Sequence, residues 1–125
     1  MKFNEWTKNK SRNIDNDELS EFEIQKVFLG ETLELVEAFG EFCHKPNVST
    51  LGHFFEEVFD VVQATLGLIR RVRRISNKNT LSYEVVATQA TTDHNNKILD
   101  RGWQIDLTKE VNIEVIDHEN DRLED

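Results

Sequence analysis

The chain has 125 residues, enough for one domain whose core hides roughly two thirds of the unfolded surface. Charged residues make up 31 % and hydrophobic residues 38 %, and no run approaches the roughly 20 apolar residues of a spanning helix, which excludes a helical membrane protein. Lys and Arg number 15 against 24 Asp and Glu, a formal charge of −9, which argues against binding a nucleic acid polymer. The opening residues Met1-Lys2-Phe3-Asn4-Glu5-Trp6 lack the apolar stretch of a signal peptide, and the single Cys43 allows no internal disulfide. A cytoplasmic location is therefore expected.

Five glycines, one proline and apolar residues at helical spacing predict an all-α fold. Residues 3–13 suit a short helix presenting Phe3 and Trp6. Asp15 and Asp17 then offer caps for a helix from about Glu18 to Cys43, ending before Pro46. Ser49 or Thr50 caps the next helix, from about Leu51 to Ser76, whose last turns carry Arg70, Arg71, Arg73 and Arg74. These arginines complement the negative end of the helix dipole, with a phosphate or subunit contact as the alternative. Residues 77–79 make a turn before a helix from about Leu81 to Arg101. Beyond Trp103, Val111, Ile113 and Val115 alternate with polar residues, predicting a short strand or extended arm and then a disordered acidic tip at 118–125. Residues 104–125 carry eight acids against Lys109 and Arg122, so −6 of the charge lies in this tail and −3 in residues 1–103. The expected organisation is one helical domain, 1–103, and an acidic tail, 104–125.

The positions of the remaining acids are the informative feature. On a helical wheel at about 100° per residue, Ile24, Val27, Phe28, Leu35, Ala38, Phe39 and Phe42 share one arc. Glu31 falls inside it, about 20° from Ile24 and Ala38, and Glu34 lies at its margin. In the following helix, Glu57 sits about 40° from Val61 at the flank of an apolar half-cylinder, with Asp60 one step further round. Each pair is spaced i,i+3, which puts its members about 5–6 Å apart. Were the two helices antiparallel neighbours, the four acids would converge among apolar side chains, where unpaired carboxylates cost several kcal/mol each or take up protons. A buried ion-pair network is one solution, yet residues 18–69 hold only Lys26 and Lys45 as basic residues. An all-oxygen site without Cys or clustered His suits a hard divalent cation, Mg²⁺ first and Mn²⁺ second.

The helix at 81–101 places Ala90, His94, Lys97 and Arg101 on one stripe. Lys97 and Arg101, one turn apart, suit a phosphate clamp or a solvated basic patch, and His94 either orients phosphate or sits on the surface. Trp6 and Trp103 either stack on a base or pack helix ends.

The segments Gly30-Glu31-Thr32-Leu33-Glu34-Leu35-Val36-Glu37-Ala38, Glu56-Glu57-Val58-Phe59-Asp60-Val61-Val62 and Asn96-Lys97-Ile98-Leu99-Asp100-Arg101-Gly102-Trp103 resemble, in order, the motifs of MazG-type all-α nucleoside triphosphate pyrophosphatases. The likeness covers about residues 3–103. It implies a four-helix-type core that oligomerises as a homodimer or homotetramer and hydrolyses a nucleoside triphosphate to monophosphate and pyrophosphate with Mg²⁺. By position, Glu31, Glu34, Glu57 and Asp60 correspond to metal ligands, and Lys97 and Arg101 to phosphate contacts. One departure is Gly30, where the family commonly has the first of two adjacent glutamates. Glu34 and Glu57 are the candidates for the base that activates water. The competing expectation is a non-catalytic helical oligomer with a regulatory or interaction role.

Overall fold

The computed structural model describes residues 2–112, 114 and 116. They are dominated by three helices, α1 (Glu21–His44), α2 (Val48–Lys78) and α3 (Tyr83–Asp100), so the fold is mainly helical, as expected. Two compact units are present, Met1–Tyr83 and Glu84–Asp125. Among the described residues no helix is long and apolar enough to cross a membrane.

The N-terminus departs from expectation. Instead of a helix over 3–13, a small hairpin pairs β1 (Lys8–Asn9) with β2 (Ile14–Asp15), antiparallel, with Lys8 opposite Asp15 and Asn9 opposite Ile14. The cause is local competition by polar side chains. Asn9 Oδ1 accepts from Ser11 Oγ at 2.8 Å and from the Arg12 amide at 3.1 Å, and Asn13 takes φ 53°, the kind of turn chemistry that withholds backbone groups from a helix. Asp15 then caps only a 3-10 turn, Asn16–Glu18, its Oδ1 accepting from the Asp17 amide at 3.0 Å.

The cap of α1 is Ser20, whose Oγ accepts from the Glu23 amide at 3.1 Å, and the helix stops at Lys45 ahead of Pro46. For α2 the cap is Asn47, two or three residues earlier than the expected Ser49 or Thr50. Thr50 is its reciprocal partner: Asn47 Oδ1 accepts from the Thr50 amide at 2.9 Å, and Thr50 Oγ1 accepts from the Asn47 amide at 3.1 Å. The helix runs on through 77–78, so the turn falls at Asn79–Thr80, with Thr80 at φ 56°. Gly102, φ 86°, closes α3: its amide donates to Leu99 O at 2.9 Å and that of Trp103 to Ile98 O at 3.1 Å, a Schellman end that needs glycine at the left-handed position. Residues 103–112 form no strand, only a turn in which Lys109 N donates to Asp106 O at 3.3 Å. Ile113, Val115 and the tip at 118–125, on which the expected arm and tail partly rested, lie outside the described residues.

The short connection at 45–47 folds α2 back along α1. Phe39 meets Phe54 near the connection, with centroids 6.4 Å apart, while Ile24 and Val27 share a small cavity with Ala64 and Gly67 at the other end. Rising numbers on α2 thus face falling numbers on α1, the antiparallel arrangement. Ile24, Ala38, Ala64 and Leu66 are its buried apolar residues.

The N-terminal segment is strapped along α2. Buried Gln63 accepts from Trp6 N at 3.1 Å and donates to Asn4 O. Arg70 pairs with Glu5 and Asp17, each at 3.1 Å. Arg71 donates to Asp17 O and Leu19 O, and Arg74 to Asp17 O. Three of the four arginines at the end of α2 are therefore engaged with residues 5–19, and Arg73 lies over the Tyr83 ring, 5.5 Å from its centroid.

Replacing Gln63 with Leu leaves two backbone groups without partners and should lower stability by about 1–3 kcal/mol, read as a lower urea midpoint together with faster proteolysis within residues 2–19. At Gly30 a Cβ would meet nothing within 4 Å. Gly30→Ala should therefore stabilise the chain by about 0.5–1 kcal/mol, measured by the same titration.

Candidate metal centre

The antiparallel register decides the centre. Glu31 and Glu34 extend from α1 at the level where Glu57 and Asp60 extend from α2, and one carboxylate oxygen from each lies within 4.8 Å of all the others. Glu31, Glu57 and Asp60 are partly buried and Glu34 is exposed. The convergence expected from the two i,i+3 pairs is present in the fold.

Two oxygens of this group, Glu31 Oε2 and Glu57 Oε2, are buried without any hydrogen-bond partner. Buried polar atoms are almost always satisfied, so the pair marks a place shaped for something that accepts electron density. Two full charges 4.8 Å apart repel by about 3.5 kcal/mol at an effective dielectric near 20, and four such charges multiply the effect. The carboxyls respond by holding protons. Burial, then the charges of Glu34, Asp60 and Glu57, push Glu31 from its ordinary 4.5 up to about 7. Burial and the charge of Glu34 likewise raise Glu57 and Asp60, Asp60 also acting on Glu57 and Glu56 on Asp60. Among the described residues, no lysine or arginine contributes to these shifts; the opposing charge is that of His53 on Glu57.

His53 escaped the sequence reasoning. Its Nδ1 lies 3.8 Å from Glu57 Oε1 and 4.0 Å from Glu56, and its Nε2 lies 4.0 Å from Glu41. These distances are too long for hydrogen bonds and make it an electrostatic neighbour. The signal was its i,i+4 spacing from Glu57.

Chemically, the four acids form an all-oxygen donor set without Cys or His. That set suits Mg²⁺ or Mn²⁺ rather than zinc or copper, and the unsatisfied buried oxygens fit such an occupant.

In the second unit, His94 and Lys97 are exposed on α3, and Arg101 follows its last residue, its amide donating to Lys97 O at 3.2 Å. The Gly-Trp that follows Arg101 has a structural reason, the Schellman end. Trp103 is exposed at 68 %, and Trp6, 38 % exposed, lines the small cavity with Ile24, Val27 and Ala64. Comparison with protein-family models, with curated proteins and with solved structures finds no match.

A carboxyl whose pKa is higher folded than unfolded holds a proton that unfolding releases. Its contribution to stability is complete below the unfolded value and is lost as pH rises through the folded one. The metal-free chain should thus lose melting temperature between about pH 4.5 and 7. Glu31→Gln, which keeps the shape and removes a charge, should flatten that dependence and melt higher than the unsubstituted chain at pH 8 in EDTA. Differential scanning calorimetry across the pH range checks both.

Proposed function

We propose that the chain is a Mg²⁺-dependent nucleoside triphosphate pyrophosphohydrolase, cleaving an NTP or dNTP to the monophosphate and pyrophosphate in the service of nucleotide-pool cleaning. The observation that carries this reading is the meeting of Glu31, Glu34, Glu57 and Asp60 on two helices with two buried oxygens unpartnered. The order of the three motifs supports it.

Glu31, Glu34, Glu57 and Asp60 would hold Mg²⁺, or Mn²⁺ in its place. Bound there, the ion supplies charge neutralisation at phosphate oxygens and lowers the pKa of a coordinated water. The chain's own groups have distinct tasks. Glu34 or Glu57 accepts the water's proton as its oxygen forms the new bond to phosphorus. The anhydride bond between the first and second phosphates breaks, and pyrophosphate departs with that electron pair. The more exposed position of Glu34 suits proton exchange with solvent, whereas Glu57 is set against His53. By the resemblance, Lys97 would offer phosphate a point charge and Arg101 a two-point fork, with His94 as a further candidate for orienting phosphate. With Gly30 where the resembled family has a glutamate, these four acids carry the donor set alone. A four-helix-type core in a homodimer or homotetramer belongs to the same reading.

The test is a panel of ribo- and deoxynucleoside triphosphates with Mg²⁺, following pyrophosphate and monophosphate separately. The expected result is stoichiometric release of both from a subset of nucleotides, reduced by about 10²-fold or more in Glu34→Gln or Glu57→Gln, whichever is the base. Release of orthophosphate and diphosphate overturns the reading. No release from any nucleotide favours the non-catalytic helical oligomer.

A further inference from the structure

Charge is placed unevenly along this chain. Between Val61 and Tyr83 there is no Asp or Glu, yet there are five cations, Arg70, Arg71, Arg73, Arg74 and Lys78, while the rest of the chain holds ten cations and 24 acids. A segment of +5 therefore stands in a molecule that is otherwise −14. Arg70, Arg73, Arg74, Asn77 and Lys78 share one face of α2, an arc of about 140°, and line an open groove of about 430 Å³. Eight residues separate its ends, about 12 Å along the helix. Among the described residues no acid lines it.

We propose that this groove binds a small oligophosphate, two or three linked phosphates such as pyrophosphate or the phosphate chain of a nucleotide, without a metal ion. The site is separate from the acidic centre, since Arg70 lies ten residues beyond Asp60, about 15 Å along α2. It goes beyond the enzymatic reading and holds whether or not the chain turns over nucleotides. Three observations select the occupant.

The first is what the local structure leaves over. The strap engages Arg70, Arg71 and Arg74, and Arg73 lies over Tyr83. Lys78 stands past the strap, exposed, with no ion pair among the described residues. Arg74 Nη1 is 3.9 Å from Glu18 Oε1, too long for a hydrogen bond, and that carboxylate is 77 % exposed. A pair of this kind contributes little and yields to a stronger anion. Arg70, held by Glu5 and Asp17, serves as a fixed wall, while Arg74, Lys78 and the exposed amide of Asn77 supply the donors.

Charge density is the second. Four cations within little more than two turns repel one another, and linked phosphates match them, each bringing up to two negative charges and three acceptor oxygens. Guanidinium forks grip such oxygens at two points, and lysine adds a point charge. The third is extent. A groove about 12 Å long accommodates two or three phosphates, whereas a nucleic acid polymer would run on from it across a surface that is otherwise −14.

The experiment titrates the full chain in EDTA with pyrophosphate by isothermal calorimetry. Saturable one-to-one binding with a Kd below about 1 mM is expected, with orthophosphate weaker by about tenfold or more. Lys78→Glu should weaken pyrophosphate at least about tenfold and Lys78→Arg should preserve it, circular dichroism being unchanged in both. Asn77→Asp, which puts an acid in the groove and removes no cation, should weaken binding in the same way and keeps the test decisive if Lys78→Glu fails to fold. Lys97→Gln with Arg101→Gln should leave binding as it is. ADP identifies the source: affinity like that of pyrophosphate extends the site to nucleotides and weaker affinity restricts it to the free anion, and either result supports the groove. Absence of saturable binding, orthophosphate binding as tightly as pyrophosphate (an adventitious ion only), loss of binding through Lys97 and Arg101 in place of Lys78, or tighter binding of a hexaglutamate peptide each overturns the proposal. Hydrolysis is not among the readouts and Mg²⁺ is absent, so failure here leaves the enzymatic reading to its own test.

Discussion

Mutual repulsion among four carboxylates is the constraint around which this fold is arranged. Helices normally turn their acids to water, where charges 5 Å apart are of little consequence. Here α1 and α2 hold Glu31, Glu34, Glu57 and Asp60 within 4.8 Å of one another with half-buried surroundings. Such a grouping survives only if the backbone that carries it is held independently. The Asn47–Thr50 capping box fixes where α2 begins, the Phe39, Phe54, Phe55 and Phe59 rings line one side of the hairpin, and the N-terminal strap fastens the far end of α2. The capping box and the Phe39–Phe54 contact lie on one side of the acids and the strap on the other, while Phe55 and Phe59 stand at the level of the acids themselves.

Supports outside the strained place and an open coordination sphere inside it are what a preorganised cation site requires. A flexible cluster would relax by turning its acids outward, leaving nothing for a cation to gain. Burial and the neighbouring acids raise the pKa of Glu31, so a cation bound there would compete with protons and its affinity would follow pH. On the proposed reading, the charge that would matter to a triphosphate is the local sum after cations arrive, not the −9 of the whole chain.

Helical periodicity made most of this legible in the sequence. The arc of Ile24 to Phe42 and the apolar half-cylinder around Val61 located α1 and α2 to within a few residues, and the place of Glu31 inside the first and of Glu57 at the flank of the second located the acidic centre. Local polar chemistry was less legible. Asn9 and Asn13 divert residues 8–15 into a hairpin because side-chain oxygens compete with the helix for amides, a contest that periodicity does not register. Ser49 and Thr50 both looked like caps, and the choice of Asn47 rested on a reciprocal pair that single-residue preference cannot rank. The arginines of α2 were invisible as a strap, since their partners are backbone carbonyls and acids more than 50 positions away. His53 is legible in principle, one turn from Glu57.

The strap has a consequence for the order in which the molecule assembles. Asn4 and Trp6 find their partner 57–59 positions later in Gln63, and Glu5 and Asp17 find theirs in Arg70. During synthesis residues 4–17 therefore emerge before the groups that fix them, while α1 and α2 close on each other through a three-residue connection. Contacts of such different separation form at different times, since closing the longer loop costs more chain entropy. The strap of residues 4–17 closes loops of about fifty residues or more, a larger entropic cost than the turn that brings α1 and α2 together.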